Sequence, residues 1–263
     1  MTRFGMAIDM ARCTGCQTCV VACQMHHALR PGVAWCAVDA LEWGRWPDAD
    51  RAFLPHACLH CDEPLCVSVC PTAASHKRDD GTVGIDEARC IGCGVCLTAC
   101  PYGARTLNRE DAWHFGAPSP APYEIEGEGR VGVAEKCTFC IERVQVGLLP
   151  ACVEACPVEA RAFGDLDDPE SPASAFAAET GARPVPGTGV LYADGGRGLD
   201  IGRVVTERYY APASRSQTAD GRVGEGNPAV VAGAGAAAAA LAAAAGLAAK
   251  RNRDRRAKAQ RRA

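Results

Sequence analysis

The sequence predicts an α+β fold of two small cysteine-rich units, followed by a loop-rich C-terminal arm and a C-terminal membrane helix. Three observations lead to this fold class. Sixteen of the 17 cysteines fall into four groups of four with related spacing. A strand, a cysteine loop and a short helix follow one another near the N-terminus and again around the third group, which indicates duplicated units. Residues 228–249 contain no charged side chain.

The four cysteine groups indicate metal binding. In chain order they are Cys13, Cys16, Cys19 and Cys23; Cys58, Cys61, Cys66 and Cys70; Cys90, Cys93, Cys96 and Cys100; and Cys137, Cys140, Cys152 and Cys156. A disulfide framework is typical of short secreted chains and does not place nearly every cysteine in C-x2-C repeats. Metal ligation is therefore the better interpretation.

The third group has the spacing C-x2-C-x2-C-x3-C-P, which bacterial ferredoxins use to hold a [4Fe–4S] cluster. In that motif the first three thiolates wrap one cluster and the fourth reaches a second one. Gly92 and Gly94 allow the backbone to bend closely around inorganic sulfide, and Pro101 ends the short helix. The group therefore predicts a ferredoxin-like cluster domain.

The other groups vary this spacing. Group one repeats it, with Gln24 in place of the proline, and group two has a longer central loop that contains Pro64. Group four has a long middle segment, in which Glu142–Gly147 is predicted to form a helical turn. Group four alone could also bind zinc. Its position beside three ferredoxin-type groups, and its Cys-Pro ending, favour iron.

Charge is distributed unevenly along the chain. The net charge of −3 combines a C-terminal tail, residues 250–263, of net +7 with a remainder of net −10. An acidic body disfavours a nucleic-acid-binding protein. The first ten residues contain no basic segment followed by an apolar one, so no signal peptide is visible.

Several segments lie outside the motifs. Residues 4–10 are predicted to form an edge strand, and residues 79–86 a turn followed by a strand. Residues 24–57 are an insertion whose tryptophans Trp35, Trp43 and Trp46 either pack in a core or shield a cluster or partner surface. Cys36 fits a buried free thiol. His26, His27 and His60 either tune a cluster by hydrogen bonding or are simply packed or exposed.

The C-terminal third contains no cysteine after Cys156. Residues 166–227, rich in Gly, Pro and Asp, predict an extended arm. Residues 228–249 are long enough to cross a bilayer, and their small side chains suit packing against partner helices. A soluble Ala-rich helix or a disordered tail remains the alternative. The basic tail that follows would stay in the cytoplasm, which places the body on the other side.

The cysteines predict electron transfer rather than catalysis. All sixteen ligands are cysteines, with no histidine of the Rieske type and no open coordination position. There is no C-x-x-C-H for haem attachment and no G-x-G-x-x-G after a strand for a nicotinamide or flavin. Nothing in the sequence converts a substrate, so we do not expect an enzyme.

The order and spacing of the groups resemble the electron-transfer (β) subunits of molybdopterin oxidoreductases over about residues 1–165. Residues 137–143 and 164–169 also resemble stretches of that family. It includes subunits of dimethyl sulfoxide, polysulfide, thiosulfate and tetrathionate reductases and of formate dehydrogenases. A related four-cluster subunit serves membrane-bound nickel–iron hydrogenases.

The resemblance implies four [4Fe–4S] clusters whose ligands cross between groups. We name the implied sites A (Cys13, Cys16, Cys19, Cys156), B (Cys137, Cys140, Cys152, Cys23), C (Cys58, Cys61, Cys66, Cys100) and D (Cys90, Cys93, Cys96, Cys70). Groups one and four then build one ferredoxin-like domain from residues 1–57 and 111–165. Groups two and three build a second domain, inserted within it, from residues 58–110.

The resemblance also implies the partners. Electrons would pass between a molybdopterin catalytic subunit and an integral membrane subunit linked to quinone. The equivalent subunit of a nickel–iron hydrogenase, or a cysteine-rich zinc scaffold, is the alternative. A C-terminal anchor resembles those of respiratory formate dehydrogenase and of a periplasmic hydrogenase, whose folded subunits cross the membrane on a partner's twin-arginine signal. This implies an extracytoplasmic body, with a cytoplasmic body as the alternative.

Overall fold

The computed structural model of the chain describes residues 2–107 and 131–210. Met1–Thr206 form one compact unit, and the chain from Glu207 onwards belongs to a second. The first unit holds all four cysteine groups. Its predicted division into two ferredoxin-like domains stays a prediction.

A four-stranded sheet carries the N-terminal strand in its interior. Strand β1 is Phe4–Asp9, β8 is Arg161–Asp165, β9 is Arg183–Pro184 and β10 is Val190–Ala193, in the order β8-β1-β10-β9. β1 pairs antiparallel with β8 and parallel with β10. The prediction of a strand at residues 4–10 is thus confirmed, but its placement at a sheet edge is wrong. The continuous apolar run reflects burial, since Met6, Ala7 and Ile8 are all buried.

The insertion at residues 24–57 contains a long hairpin. Strands β2, Cys36–Trp43, and β3, Asp50–Ala57, pair antiparallel along their whole length. Trp35 is buried just before β2, and its Nε1 donates to Glu135 Oε2 at 3.2 Å. Trp46, by contrast, is 90 % exposed. Core packing therefore holds for Trp35 and not for Trp46.

Five helices accompany the cysteine groups. They are α1 (Thr18–His26), α2 (Leu65–Ser68), α3 (Val95–Ala99), α4 (Ile141–Val144) and α5 (Ala151–Glu154). α1 packs against α5, and α2 packs against α3. These contacts bring group one beside group four, and group two beside group three. α4 lies within the stretched middle of group four, where a helical turn was predicted.

Two short antiparallel strand pairs lie beside the second and third groups. β4, Ser75–Lys77, pairs with β5, Val83–Ile85, and β6, Thr106–Leu107, pairs with β7, Ala134–Glu135. β5 confirms the strand predicted within residues 79–86. A 3₁₀ turn at Glu87–Arg89 then leads into Cys90, and the Asp86 side chain caps it by accepting from the N–H groups of Ala88 and Arg89.

The predicted extended arm over residues 166–227 is wrong for its first part. This stretch contains helix α6, Pro172–Thr180, strands β9 and β10, and helix α7, Ile201–Tyr210. Its proline and glycine residues are helix signals: Ser171 caps α6, proline occupies the first turn, and Gly181 ends it with φ 69°. The Gly-, Pro- and Asp-rich composition by itself did not indicate these helices and strands.

The rest of the C-terminal prediction lies outside the described residues. This applies to residues 211–227, to the membrane helix at 228–249 and to the basic tail at 250–263. Within residues 2–107 and 131–210, none of the helices combines the length and the apolar character needed to span a bilayer.

Candidate iron–sulfur cluster sites

In each cysteine group the backbone turns at the same position, directly before the second cysteine. The residue before the second cysteine has a positive φ in all four groups: Gly15, His60, Gly92 and Phe139. This left-handed conformation bends the loop so that neighbouring thiols converge on one side. Two of the four residues are not glycine, so the surrounding packing must hold them. The His60 and Phe139 rings are buried and stack on each other with centroids 3.8 Å apart.

Site C brings a cysteine of group three to group two. One cavity is lined by Cys58, Cys61, Cys66 and Cys100, with mainly apolar neighbours. Burial raises the pKa of the Cys61 thiol to about 12, and negative charge on Cys58, Cys100 and Cys66 adds to the shift. Cys100 thus lies close to the three thiols of group two.

Site D shows the reverse exchange. A second cavity is lined by Cys90, Cys93, Cys96 and Cys70. Backbone N–H groups point at two of these sulfurs. Ser75 N lies 3.4 Å from Cys70 Sγ, and Ala134 N lies 3.4 Å from Cys90 Sγ. Cys70, a member of group two, therefore lies with group three.

Site B joins groups four and one. A cavity is lined by Cys23, Cys137, Cys140 and Cys152, together with Cys36, Cys58 and Arg161. Phe139 N lies 3.4 Å from Cys137 Sγ. His27 is buried, with Nε2 3.2 Å from Cys140 Sγ. When Cys140 ligates metal as a thiolate it has no proton, so His27 must be the donor.

Site A brings a cysteine of group four to group one. Burial raises the pKa of the Cys13 thiol, an effect that the N–H of Gly15 and the charge of Arg161 oppose, while Cys156 and Cys16 raise it further. Cys156 of group four is therefore a neighbour of Cys13. Ala160 N lies 3.3 Å from Cys156 Sγ. Cys19 is buried, whereas Cys16 is exposed.

The donor set fits iron–sulfur clusters. Soft thiolates select zinc or iron–sulfur clusters. The C-x2-C-x2-C-x3-C spacing of groups one and three is that of ferredoxin clusters. Backbone N–H groups aimed at sulfur are the hydrogen bonds that tune cluster potentials.

Of the other residues that the sequence singled out, Cys36 and His60 are buried and His26 is exposed. Cys36 is buried, as predicted for a free thiol, with Sγ 3.6 Å from Arg161 Nη2. His26 is exposed and its Nε2 lies 3.0 Å from Glu142 Oε1. His60 is packed, and its Nδ1 accepts from Val83 N at 2.9 Å. Burial and the charge of Lys136 hold the pKa of His60 well below its usual value, so this ring is neutral.

Sequence reasoning missed two arginines at these sites. Arg161 and Arg105 are both buried. Each follows the last cysteine of a group in the same motif, C-P-x-x-A-R, at Cys156–Arg161 and Cys100–Arg105. This repeated motif was the available signal. The N–H donors to sulfur carried no signal in the sequence, because any residue except proline supplies them.

Comparison with known proteins identifies [4Fe–4S] domains in the chain. A "4Fe-4S dicluster domain" family matches residues 49–115 and 113–166, and a "4Fe-4S binding domain" family matches residues 10–26. A chain of Halobacterium salinarum, named as the iron–sulfur subunit of a dimethyl sulfoxide reductase, is 42 % identical over 192 residues, which cover 68 % of this chain and 72 % of that one.

Two further relatives serve other reductases. The arsenate respiratory reductase iron–sulfur subunit of a Shewanella species is 38 % identical over 200 residues, 65 % of this chain and 86 % of the relative. A selenate reductase subunit of Mesobacillus selenatarsenatis is 40 % identical over 179 residues, 63 % of this chain and 61 % of the relative. The chain belongs to the iron–sulfur (β) subunits of the molybdopterin oxidoreductases, which transfer electrons through [4Fe–4S] clusters and are not the catalytic subunits.

Proposed function

We propose that this chain carries four [4Fe–4S] clusters and conducts electrons between a molybdopterin catalytic subunit and a quinone-linked membrane subunit. The observation that carries the proposal is the exchange of one cysteine between groups two and three in the two cavities of sites C and D. A bound [4Fe–4S] cluster exchanges one electron at a time without forming a bond to a substrate.

The ligand sets of this proposal are sites A to D as defined above. Three of the sets each line one cavity, and the thiols of site A influence one another electrostatically. All four sets cross between groups, as in two-cluster ferredoxins. The pairing of α1 with α5 and of α2 with α3 is consistent with this, since each helix pair brings together the two groups that exchange a ligand.

The chain's own residues control how each cluster behaves. Apolar side chains around the cavities exclude water, and the N–H groups of Ser75, Ala134, Phe139 and Ala160 stabilise negative charge on sulfur. Sites C and B are neighbours, because Cys58 lines the cavity of site B as well as that of site C. This closeness supports electron transfer from one site to the next.

The catalytic partner is proposed from the relatives. The names of three relatives identify them as subunits of dimethyl sulfoxide, selenate and arsenate reductases. By analogy, this chain would receive electrons from, or deliver them to, a molybdopterin subunit that reduces or oxidises a small inorganic or sulfur compound. The membrane partner is proposed from the family resemblance and from the uncharged stretch at residues 228–249.

The same stretch supports a proposal for location. We place the acidic body outside the cytoplasm, with residues 228–249 as an anchor and the basic tail inside. Protease added to spheroplasts should cut the body without breaking the cells. A body that is protected in spheroplasts and cut only in broken cells would overturn this location and favour a cytoplasmic body.

Metal analysis tests the main proposal. The complex is purified through this chain without oxygen, and iron, acid-labile sulfide, zinc, molybdenum, tungsten and nickel are measured. We expect about sixteen irons and sixteen sulfides per chain, the number that four clusters require, together with molybdenum or tungsten. Nickel in their place would assign the chain to a hydrogenase. Zinc without sulfide would overturn the cluster assignment.

A further inference from the structure

Three buried cations lie among the cysteine groups. Arg161 and Arg105 are each 5 % exposed, and Lys136 is 2 % exposed. In residues 2–107 and 131–206, none of the three forms a salt bridge with a carboxylate. A buried cation is costly unless negative charge balances it. The negative groups around these cations are thiols, namely those of the cluster sites and, beside Arg161, also Cys36.

Arg161 bridges sites A and B. Its Nη2 lies 3.3 Å from Sγ of Cys19, a site A ligand. The same residue lines the cavity of site B with Cys137, Cys140 and Cys152. Burial disfavours its charge, but Cys36, Cys152 and Cys19 raise the pKa of Arg161 well above its usual value. One guanidinium group therefore faces ligands of two clusters.

Arg105 has the same relation to sites C and D. It lines the cavity of site C with Cys58 and Cys66. Its Nη1 donates to Ser75 Oγ at 2.8 Å, and Ser75 in turn lines the cavity of site D and donates its N–H to Cys70 Sγ. Burial opposes its charge, while Cys66 of site C and Cys96 of site D raise the pKa of Arg105 above its usual value.

Lys136 lies beside site B. Its Nζ donates to the carbonyl oxygen of Cys137 at 2.6 Å. Each arginine, by contrast, borders two sites: Arg161 borders A and B, and Arg105 borders C and, through Ser75, D.

The two arginines are equivalent by the internal repeat. Arg105 and Arg161 are the last residues of the two C-P-x-x-A-R motifs. Each motif begins with a cysteine, Cys100 or Cys156, that crosses to the other group's cluster site. Arg161 also begins β8, which pairs with β1. The backbone that positions each crossing cysteine therefore positions the cation that faces both clusters.

We propose that Arg161 and Arg105 are shared positive charges that raise the reduction potentials of both clusters in their pair, A with B and C with D. A cluster held by four thiolates is negative and becomes more negative on reduction. A fixed positive charge nearby favours the reduced state, and a poorly hydrated site makes the effect large. This inference rests on the proposed cluster ligation.

The test is an EPR-monitored redox titration of the complete complex with Arg161→Met, Arg161→Lys and Arg105→Met. In Arg161→Met we expect the reduction equilibrium constants of both clusters A and B to fall at least tenfold, a shift of about −59 mV for a one-electron couple. Clusters C and D should not move. Arg105→Met should give the complementary result, and Arg161→Lys, which keeps the charge, should give less than half of the shift.

Arg51→Gln is the matched control. It removes a positive charge from the same unit, but Arg51 is exposed and pairs with Glu42 on the surface. Potentials in Arg161→Met that move no further than in this control would overturn the proposal, as would an Arg161→Lys shift equal to that of Arg161→Met. A shift of only one cluster of the pair would also overturn it.

Iron and sulfide counts separate this inference from the proposed function. A wild-type complex without about sixteen irons would refute the cluster assignment itself. A fully loaded wild type whose arginine variants show no shift refutes only the role of the cations. If Arg161→Met loses clusters A and B, restoration of both by Arg161→Lys supports the charge role. Failure of Arg161→Lys to restore them argues against it.

Discussion

Single residues determine how closely the cysteine loops can fold. A left-handed residue precedes the second cysteine of every group, and in groups two and four this residue is His60 or Phe139 rather than glycine. A non-glycine residue in that conformation costs ~1–3 kcal/mol, which the surroundings must offset. The stacked His60 and Phe139 rings do so for both loops, because each ring packs against the other in the interior. Site C and site B are thus coupled through their loops.

The crossing cysteines give a direct test at this scale. Replacing Cys100 with serine should damage the cluster of site C, held mainly by group two, and leave that of site D in place. The reason is that Cys100 lines the cavity of Cys58, Cys61 and Cys66, whereas Cys70 completes the other set. EPR spectra and iron content of the purified complex measure the outcome.

Cys36→Ser is the control for that experiment. Cys36 is also buried and lines the cavity of site B, but it is the one cysteine outside the four groups. We expect this variant to keep its full iron content. Selective loss of the site D cluster in Cys100→Ser would contradict the crossed ligation, and loss of iron in Cys36→Ser would make Cys36 a ligand.

At the scale of elements, the sequence predicted those parts of the fold that the motifs mark. The cysteine spacing located the cluster loops, and the turn at residues 79–86 located β5. The four-stranded sheet was harder to predict from the sequence. β10 pairs in parallel with β1, from which it is separated by most of the chain, and no local sequence pattern specifies that partner. For the same reason β1 could not be distinguished from an edge strand.

The sequence predicts the same role for the two glycines of the third group, but the atoms that surround them in the structure differ. Gly92 and Gly94 both have positive φ, 63° and 75°. A Cβ at Gly92 would lie 2.1 Å from the carbonyl oxygen of Gly132, whereas at Gly94 the nearest atom would be a Leu107 methyl group at 3.9 Å. The close approach of residue 132 to the loop, rather than sulfide alone, thus demands a glycine at position 92.

The corresponding variants should therefore behave differently. Both alanine substitutions carry the cost of a left-handed alanine, ~1–2 kcal/mol. Gly92→Ala adds a backbone clash, for which overpacking costs suggest a further ~1–3 kcal/mol. We expect a larger fall in Tm, and a larger loss of site D iron, for Gly92→Ala than for Gly94→Ala. Equal effects would show that the approach of Gly132 does not matter.

At the scale of the whole molecule, the clusters are expected to hold the cysteine-rich part of the fold together. Four of the five helices beside the cysteine groups have only four or five residues, and helices this short are not stable alone in water. Three of them carry a buried cysteine that lines a cavity, namely Cys66, Cys96 and Cys152. Metal binding to such sites supplies folding free energy directly. Removal of iron should therefore lower Tm.

The metal-free chain should also become pH-sensitive in a defined direction. Burial raises the pKa of Cys61 and Cys140 to about 12 in the folded chain, while unfolded thiols ionise near ~8.5. Below that value both states hold neutral thiols, and the fold keeps its stability. Above it the unfolded state loses protons that the folded state retains, so the free energy of unfolding falls as the pH rises toward 12.

Thermal unfolding of the metal-free chain between about pH 7 and pH 10 should show a decreasing Tm over that range. The loaded chain, whose thiolates are bound to iron, should change less, and a metal-free Tm that rises with pH would contradict the burial of neutral thiols.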